Sequence, residues 1–129
     1  MRKIVIVGSA KFHKEAQDIK EELEKREYVV IDYPKKIDDT IEQEYEDAYE
    51  SFYENLNNTD DLLVLNLDKK GIEGYIGYES FAEMSYLIVK KIQNNSNQKI
   101  YIYKMPSKEV GCYEEISHFI NLGYIELFK

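Results

Sequence analysis

Short apolar runs alternate with longer amphipathic segments along the whole chain, and this alternation limits the possible folds more than any other feature. Aliphatic, β-branched and aromatic residues predict strands at 3–7, 28–33, 62–67, 99–103 and 124–128. Apolar residues that recur every three or four positions predict helices at 14–26, 39–57, 81–91 and 113–121. Strands that alternate with helices form parallel βαβ units with right-handed crossovers.

This order of elements predicts one α/β domain, and 129 residues are enough to build it. We expect a doubly wound, five-stranded parallel sheet between helical layers, which is a flavodoxin-like three-layer α/β/α fold. The expected strand order is 2-1-3-4-5. The charged helix at 39–57 is the one segment that we predict to protrude as a lid.

The composition argues against several classes of function. A net charge of −8 argues against binding to nucleic acid polymers or anionic membranes, since no basic stripe neutralises phosphates. No apolar run approaches the roughly 20 residues of a membrane span, and the amino end does not resemble a signal peptide. Cys112 is the single cysteine, so we expect a reduced, cytoplasmic protein. His13 and His118 stand apart from other ligand residues, so we expect no metal and no cofactor.

A glycine loop follows the first predicted strand. Gly8, Ser9, Lys11 and Phe12 lie where the chain passes from that strand towards a helix. Backbone N–H groups at such a junction point at an anion, and a hydroxyl and an ammonium group add to the attraction. The loop therefore predicts a phosphate-binding site. A tight turn that carries a surface lysine is the alternative interpretation.

The segment after the third predicted strand places two glutamates at the start of a helix. Ser80 and Glu83 have the spacing of a capping box, in which the glutamate folds back onto the N-cap N–H. Alternatively, Glu83 lies in the ligand crevice as an ionised nucleophile whose pKa is lowered by the helix amino end. Glu79 precedes it by one turn, and repulsion between the two carboxylates raises one pKa, which suits an acid beside a nucleophile.

The same segment resembles a known enzyme family. The sequence GYIG at 74–77, followed by Glu83, Met84 and Tyr86, is similar to a G-Y-I-G-x-S-T-x-x-E-I-x-Y-A pattern in a branch of the nucleoside 2-deoxyribosyltransferases. The resemblance implies that Glu83 attacks the anomeric carbon of a sugar. It also implies phosphate binding by Gly8 and Ser9, as in the related 5′-monophosphate N-glycosidases. Family members often build their sites across subunits, so the resemblance further implies a homo-oligomer.

The chain departs from the family pattern at two positions. Better-characterised transferases carry a D-x-G-T-x-x-E stretch, whereas this chain has Gly77 in place of the aspartate and Glu79 in place of the glycine. Asp68, at the end of the third predicted strand, is an alternative polar contact for a nucleobase. Asp68 and Glu79 are both candidate acids for the leaving base. A turn aspartate and a solvent-facing glutamate are the simpler interpretations.

Taken with these residues, the resemblance implies an enzyme that cleaves or transfers the N-glycosidic bond of a nucleoside or nucleoside 5′-monophosphate. The predicted catalytic residues are Glu83, Glu79 and Asp68. The residues predicted to bind the substrate are Gly8, Ser9, Lys11, Phe12, Asn66, Gly74, Tyr75, Gly77 and Ser80. One alternative is a non-catalytic nucleotide-binding or sensing module on the same fold, and another is an adaptor that uses the acidic helix at 39–57.

Overall fold

The computed structural model describes residues 1–129 and contains one five-stranded sheet. The strands are β1 (Lys3–Val7), β2 (Val29–Asp32), β3 (Asp61–Val64), β4 (Lys99–Ile102) and β5 (Glu126–Leu127). They lie in the order β2-β1-β3-β4-β5, and every neighbouring pair is parallel. The predicted doubly wound, flavodoxin-like α/β fold is confirmed, together with its strand order.

Four α-helices cover the two faces of this sheet: α1 (His13–Lys25), α2 (Glu42–Asn58), α3 (Tyr78–Asn94) and α4 (Tyr113–Asn121). On one face, α1 buries Ala16 and Leu23 in a small core with residues of β1 and β3. On the other face, α2, α3 and α4 form a larger core, to which they contribute Leu56, Met84, Leu87, Ile88 and Ile116. None of the helices has the length and apolar character needed to span a membrane.

Several predicted boundaries are wrong. β3 ends at Val64 rather than at 67, because Asn66 turns the chain away and binds the backbone that follows β4. α3 begins at Tyr78 rather than at 81, since the extended backbone of Gly77 (φ −80°, ψ 172°) ends the preceding loop there. β5 is limited to Glu126–Leu127, which pair with β4 at the edge of the sheet. α2 begins later than the predicted residue 39.

The strand order decides where a ligand crevice opens. Because β1 lies between β2 and β3, the loops after these three strands start side by side at the carboxyl edge of the sheet. The chain leaves β1 in one direction and β3 in the other, and ligands of open α/β sheets bind outside such a switch point. The start of α3 follows the loop after β3, so its first turns lie at this edge.

Candidate functional site

Two adjoining cavities lie at the carboxyl edge of the sheet. The first, here called the acidic cavity, has a volume of about 390 Å³, and its charged lining residues are Asp32, Lys35, Glu44, Asp47, Glu79 and Glu83. The second, here called the glycine-loop cavity, has a volume of about 550 Å³. The two share several lining residues, among them Gly8, Tyr45 and Glu79. Both volumes fall in the range of about 300–1,000 Å³ that is usual for small-molecule sites.

The glycine-loop cavity brings together most of the residues predicted to bind substrate. It is lined by Gly8, Ser9, Lys11, Phe12, Asn66, Tyr75, Gly77 and Ser80. Gly74 is the exception, because it forms a left-handed turn (φ +63°) that packs against Pro106. A Cβ atom at Gly74 would lie 2.8 Å from the Pro106 Cα, so the turn requires glycine. The loops after β1 and β3 therefore meet in one place, which follows from the predicted strand order 2-1-3-4-5.

The glycine loop itself does not lead directly into an α-helix. Ser9 caps a single 3-10 turn, with its Oγ accepting a hydrogen bond from the Lys11 N–H at 3.3 Å, and α1 starts only at His13. The Ser9 hydroxyl is thus partly used inside the loop. Gly8 is needed for a close approach, since a Cβ atom there would lie 3.0 Å from the Leu65 carbonyl oxygen. The cations of this cavity are Lys11 and Lys69.

Glu83 lies half-buried in the second turn of α3 and lines the acidic cavity. Burial raises its pKa to about 8, with further contributions from the negative charges of Glu79 and Asp32. The prediction of a lowered pKa is wrong, because burial opposes the charged form and the helix dipole, which acts mainly within the first turn, does not offset it. The predicted mutual effect of the two glutamates is present, and Glu83 is the member whose pKa rises.

The capping box predicted for Ser80 and Glu83 is also wrong. Gly77 is the N-cap of α3, no side chain caps the helix, and Ser80 is buried within its first turn. The Phe81 N–H donates to the Gly77 carbonyl at 3.0 Å, which shows that the helix is already formed there. The Glu83 side chain is therefore not tied back to the helix end.

Glu79 lies at the exposed rim where the two cavities meet, and the hydroxyl of Tyr45 donates a short hydrogen bond to its Oε1. This contact links α2 to the start of α3. Because the bond places the Tyr45 proton against a carboxylate, it raises the pKa of Tyr45 to about 12. Tyr45 thus remains a hydrogen-bond donor at any physiological pH.

Asp32 is a site residue that the sequence analysis missed. It ends β2, is 4% exposed and lines the acidic cavity. Its Oδ1 accepts from the Tyr33 N–H and its Oδ2 from Asn55 Nδ2, both at 2.8 Å. Lys35 Nζ lies 3.4 Å from Oδ1. The available signal was an acidic residue at the end of an otherwise apolar strand.

An aromatic row, also missed, forms one wall of the acidic cavity. Tyr45, Tyr49 and Tyr53 follow one another at four-residue intervals on α2, with ring centroids 6.0 Å and then 5.0 Å apart. Tyr45 and Tyr49 line the cavity and are partly exposed. Such rings offer flat, largely apolar surfaces for stacking. Their spacing in the sequence indicated a shared helix face, but not what that face would meet.

Asn66 and Asp68 hold the loops together through hydrogen bonds, and of the two only Asn66 also lines a cavity. Asn66 is 1% exposed; its Nδ2 donates to the carbonyls of Gly74 (3.2 Å) and Lys104 (2.6 Å). Its Oδ1 accepts from the N–H groups of Tyr103 (2.9 Å) and Lys104 (3.1 Å). Asp68 is exposed, lines neither cavity and pairs with Lys104 at 2.8 Å. That ion pair, with the Gly74 N–H, lowers the pKa of Asp68.

Comparison of the chain with protein-family models, curated proteins and solved structures found no match. The resemblance to nucleoside 2-deoxyribosyltransferases therefore stays a prediction. No group of three or more His, Cys, Asp or Glu side chains is arranged to hold a metal ion.

Proposed function

We propose that this protein cleaves or transfers the N-glycosidic bond of a nucleoside or nucleoside 5′-monophosphate. The observation that carries this proposal is the position of Glu83, a half-buried carboxyl group at the carboxyl edge of the sheet that lines a ligand-sized cavity. Glu79 and Asp32 line the same cavity. Retaining glycosidases work with two carboxyl groups, of which one donates a proton and the other attacks the sugar.

In this proposal Glu83 is the acid and Glu79 the nucleophile. A pKa of about 8 leaves Glu83 predominantly protonated at neutral pH, so it holds the proton that the leaving base needs. Side chains at i and i+4 lie on one face of a helix with Cβ atoms about 5–6 Å apart, so the two flexible carboxyl groups can reach the roughly 5–5.5 Å separation of retaining enzymes. This division reverses the role that the resemblance implies for Glu83.

The reaction then has two steps. The carboxylate of Glu79 bonds to the anomeric carbon as the carbon–nitrogen bond to the base breaks, and the proton of Glu83 passes to the base nitrogen. The product of this step is a glycosyl ester of Glu79. In a hydrolase, water attacks the anomeric carbon, the bond to Glu79 breaks and frees its carboxylate, and a proton passes to Glu83. In a transferase, a second base attacks instead and gives up its N–H proton to Glu83.

The surroundings of the two glutamates suit the rest of the substrate. Phosphate belongs in the glycine-loop cavity, where Lys11 and Lys69 provide positive charge, because carboxylates dominate the acidic cavity. The exposed rings of Tyr45 and Tyr49 offer a stacking surface for the base.

Release of free base from a panel of nucleosides and their 5′-monophosphates, followed by liquid chromatography, tests the proposal. We expect the wild type to release base from at least one of them. Glu83→Gln should reduce the rate by about 10²–10⁴-fold, the usual contribution of a general acid. Glu21→Gln is the matched control, because Glu21 is exposed on α1, which packs on the opposite face of the sheet from α3.

Two results would contradict the proposal: no base release by the wild type from any member of the panel, or an undiminished rate in Glu83→Gln. A rise in melting temperature with a nucleotide that is not cleaved would then favour the non-catalytic binding module, since only ligands that bind the folded state stabilise it.

A further inference from the structure

Asp32 is the one buried carboxylate of the acidic cavity that the proposed reaction does not use. Its side chain is fixed from two sides, by the Tyr33 N–H on Oδ1 and by Asn55 Nδ2 on Oδ2. Asn55 belongs to α2, so the carboxylate is held between the sheet and a helix. A side chain held in this way presents its remaining lone pairs in a fixed direction.

The carboxylate of Asp32 has unused capacity to accept hydrogen bonds. Two carboxylate oxygens offer about four lone-pair sites. Fixed donors occupy one site on each oxygen. Lys35 contributes only a longer contact of 3.4 Å from a side chain that is 56% exposed, so a ligand can displace it. A ligand that fills the open lone-pair sites must carry O–H or N–H donors.

The position of Asp32 indicates which donors it meets. Asp32 and Glu83 line the same cavity, as does Glu79. In a glycoside that reacts at Glu83 and Glu79, the 2-hydroxyl is bonded to the carbon next to the anomeric carbon. Hydrogen bonds to this hydroxyl strengthen in the transition state of glycoside cleavage. A fixed acceptor beside the reacting pair therefore fits the 2- and 3-hydroxyls of ribose.

We propose that Asp32 selects ribose over 2-deoxyribose by accepting hydrogen bonds from the 2- and 3-hydroxyls of the sugar. This inference rests on the proposed function and specifies its sugar, which differs from the 2-deoxyribose that the sequence resemblance implies. A 2-deoxy sugar leaves a buried carboxylate oxygen without its partner, and such a loss lowers affinity by about 10- to 100-fold.

The test compares kcat/KM for a ribonucleoside and its 2′-deoxy counterpart, measured as base release by the wild type, Asp32→Asn and the double variant Asp32→Asn/Asn55→Asp. The double variant exchanges the two partners, so it keeps their hydrogen bond and the net charge but removes the carboxylate from position 32. We expect the ribo-to-deoxy ratio of kcat/KM to fall by about 10- to 100-fold in both variants. The melting temperature should fall in the single variant and recover in the double one.

The outcomes separate this inference from the function on which it rests. If both substrates slow equally and their ratio is unchanged, Asp32 only supports the fold; the inference then fails while the proposed function stands. The inference also fails if the wild type cleaves only the deoxy substrate, or if Asp32→Asn alters the choice of base but not of sugar. If the wild type releases base from no ribonucleoside and from no 2′-deoxyribonucleoside, the proposed function fails and the inference fails with it.

Discussion

Glu83 holds its proton at neutral pH because its surroundings oppose a negative charge. The side chain is half-buried, and the carboxylates of Glu79 and Asp32 share its cavity. The sequence showed that Glu79 is a near neighbour, since the two residues lie one helical turn apart. It did not show the burial, which depends on α2 and β2, nor the presence of Asp32. The predicted direction of the pKa failed for this reason.

The first residue-scale prediction concerns the pH dependence of catalysis. If Glu83 is the general acid, kcat/KM for base release falls as the pH rises through about 8, because the reactive protonated form is lost. Steady-state kinetics between pH 5 and pH 10 measure the profile of the free enzyme. A rate that rises through the same range would instead make Glu83 the ionised nucleophile.

The second residue-scale prediction concerns stability. The pKa of Glu83 is raised from 4.5 to about 8, so between these values the folded state binds more protons than the unfolded state. Stability therefore falls as the pH rises through this window, by a few kcal/mol in total. Glu83→Gln lacks this pH-dependent contribution to stability, so its melting temperature should rise relative to that of the wild type between pH 5 and pH 9. If the difference between the two melting temperatures stays constant over this pH range, the raised pKa of Glu83 is contradicted.

At the scale of elements, the sequence predicted which segments form strands and helices better than it predicted where they end. β1 was predicted with its observed bounds, because an apolar run is followed there by glycine. The end of β3 and the start of α3 were misplaced, since each is decided by contacts that are distant in sequence or by backbone geometry. Asn66 lies within an apolar run of the sequence, yet its side chain forms hydrogen bonds that connect the loops after β3 and β4.

The side-chain hydrogen bonds of Asn66 give a prediction at this scale. Asn66→Ala removes four side-chain hydrogen bonds and leaves the buried Gly74 carbonyl oxygen without its side-chain donor. We expect the free energy of unfolding to fall by at least about 1–3 kcal/mol, the penalty for one such group. Denaturant unfolding measures the loss. Asn94→Ala is the control, because Asn94 is exposed at the end of α3 and should change stability by no more than about 0.5 kcal/mol.

At the scale of the whole molecule, the alternation of strands and helices was enough to predict the fold and the edge at which the cavities lie. Two of the segments that line those cavities were also predicted, one from Gly8 and one from the segment before Glu83. The part of the lining that Asp32 and the tyrosines of α2 form was not predicted, because the sequence does not specify where α2 lies relative to the sheet edge. The acidic helix, the one candidate for a protruding lid, instead packs on the sheet through Leu56 and lends one face to the site.

A carbon-13 NMR titration of the Glu side-chain carboxyl groups, with Glu83→Gln used to assign the signal of Glu83, tests directly whether Glu83 holds its proton at neutral pH. We expect a midpoint of about 8 in the ligand-free protein. A midpoint at or below the ordinary value of about 4.3 would mean that Glu83 is ionised at neutral pH, and it would contradict the role of Glu83 as the proton donor.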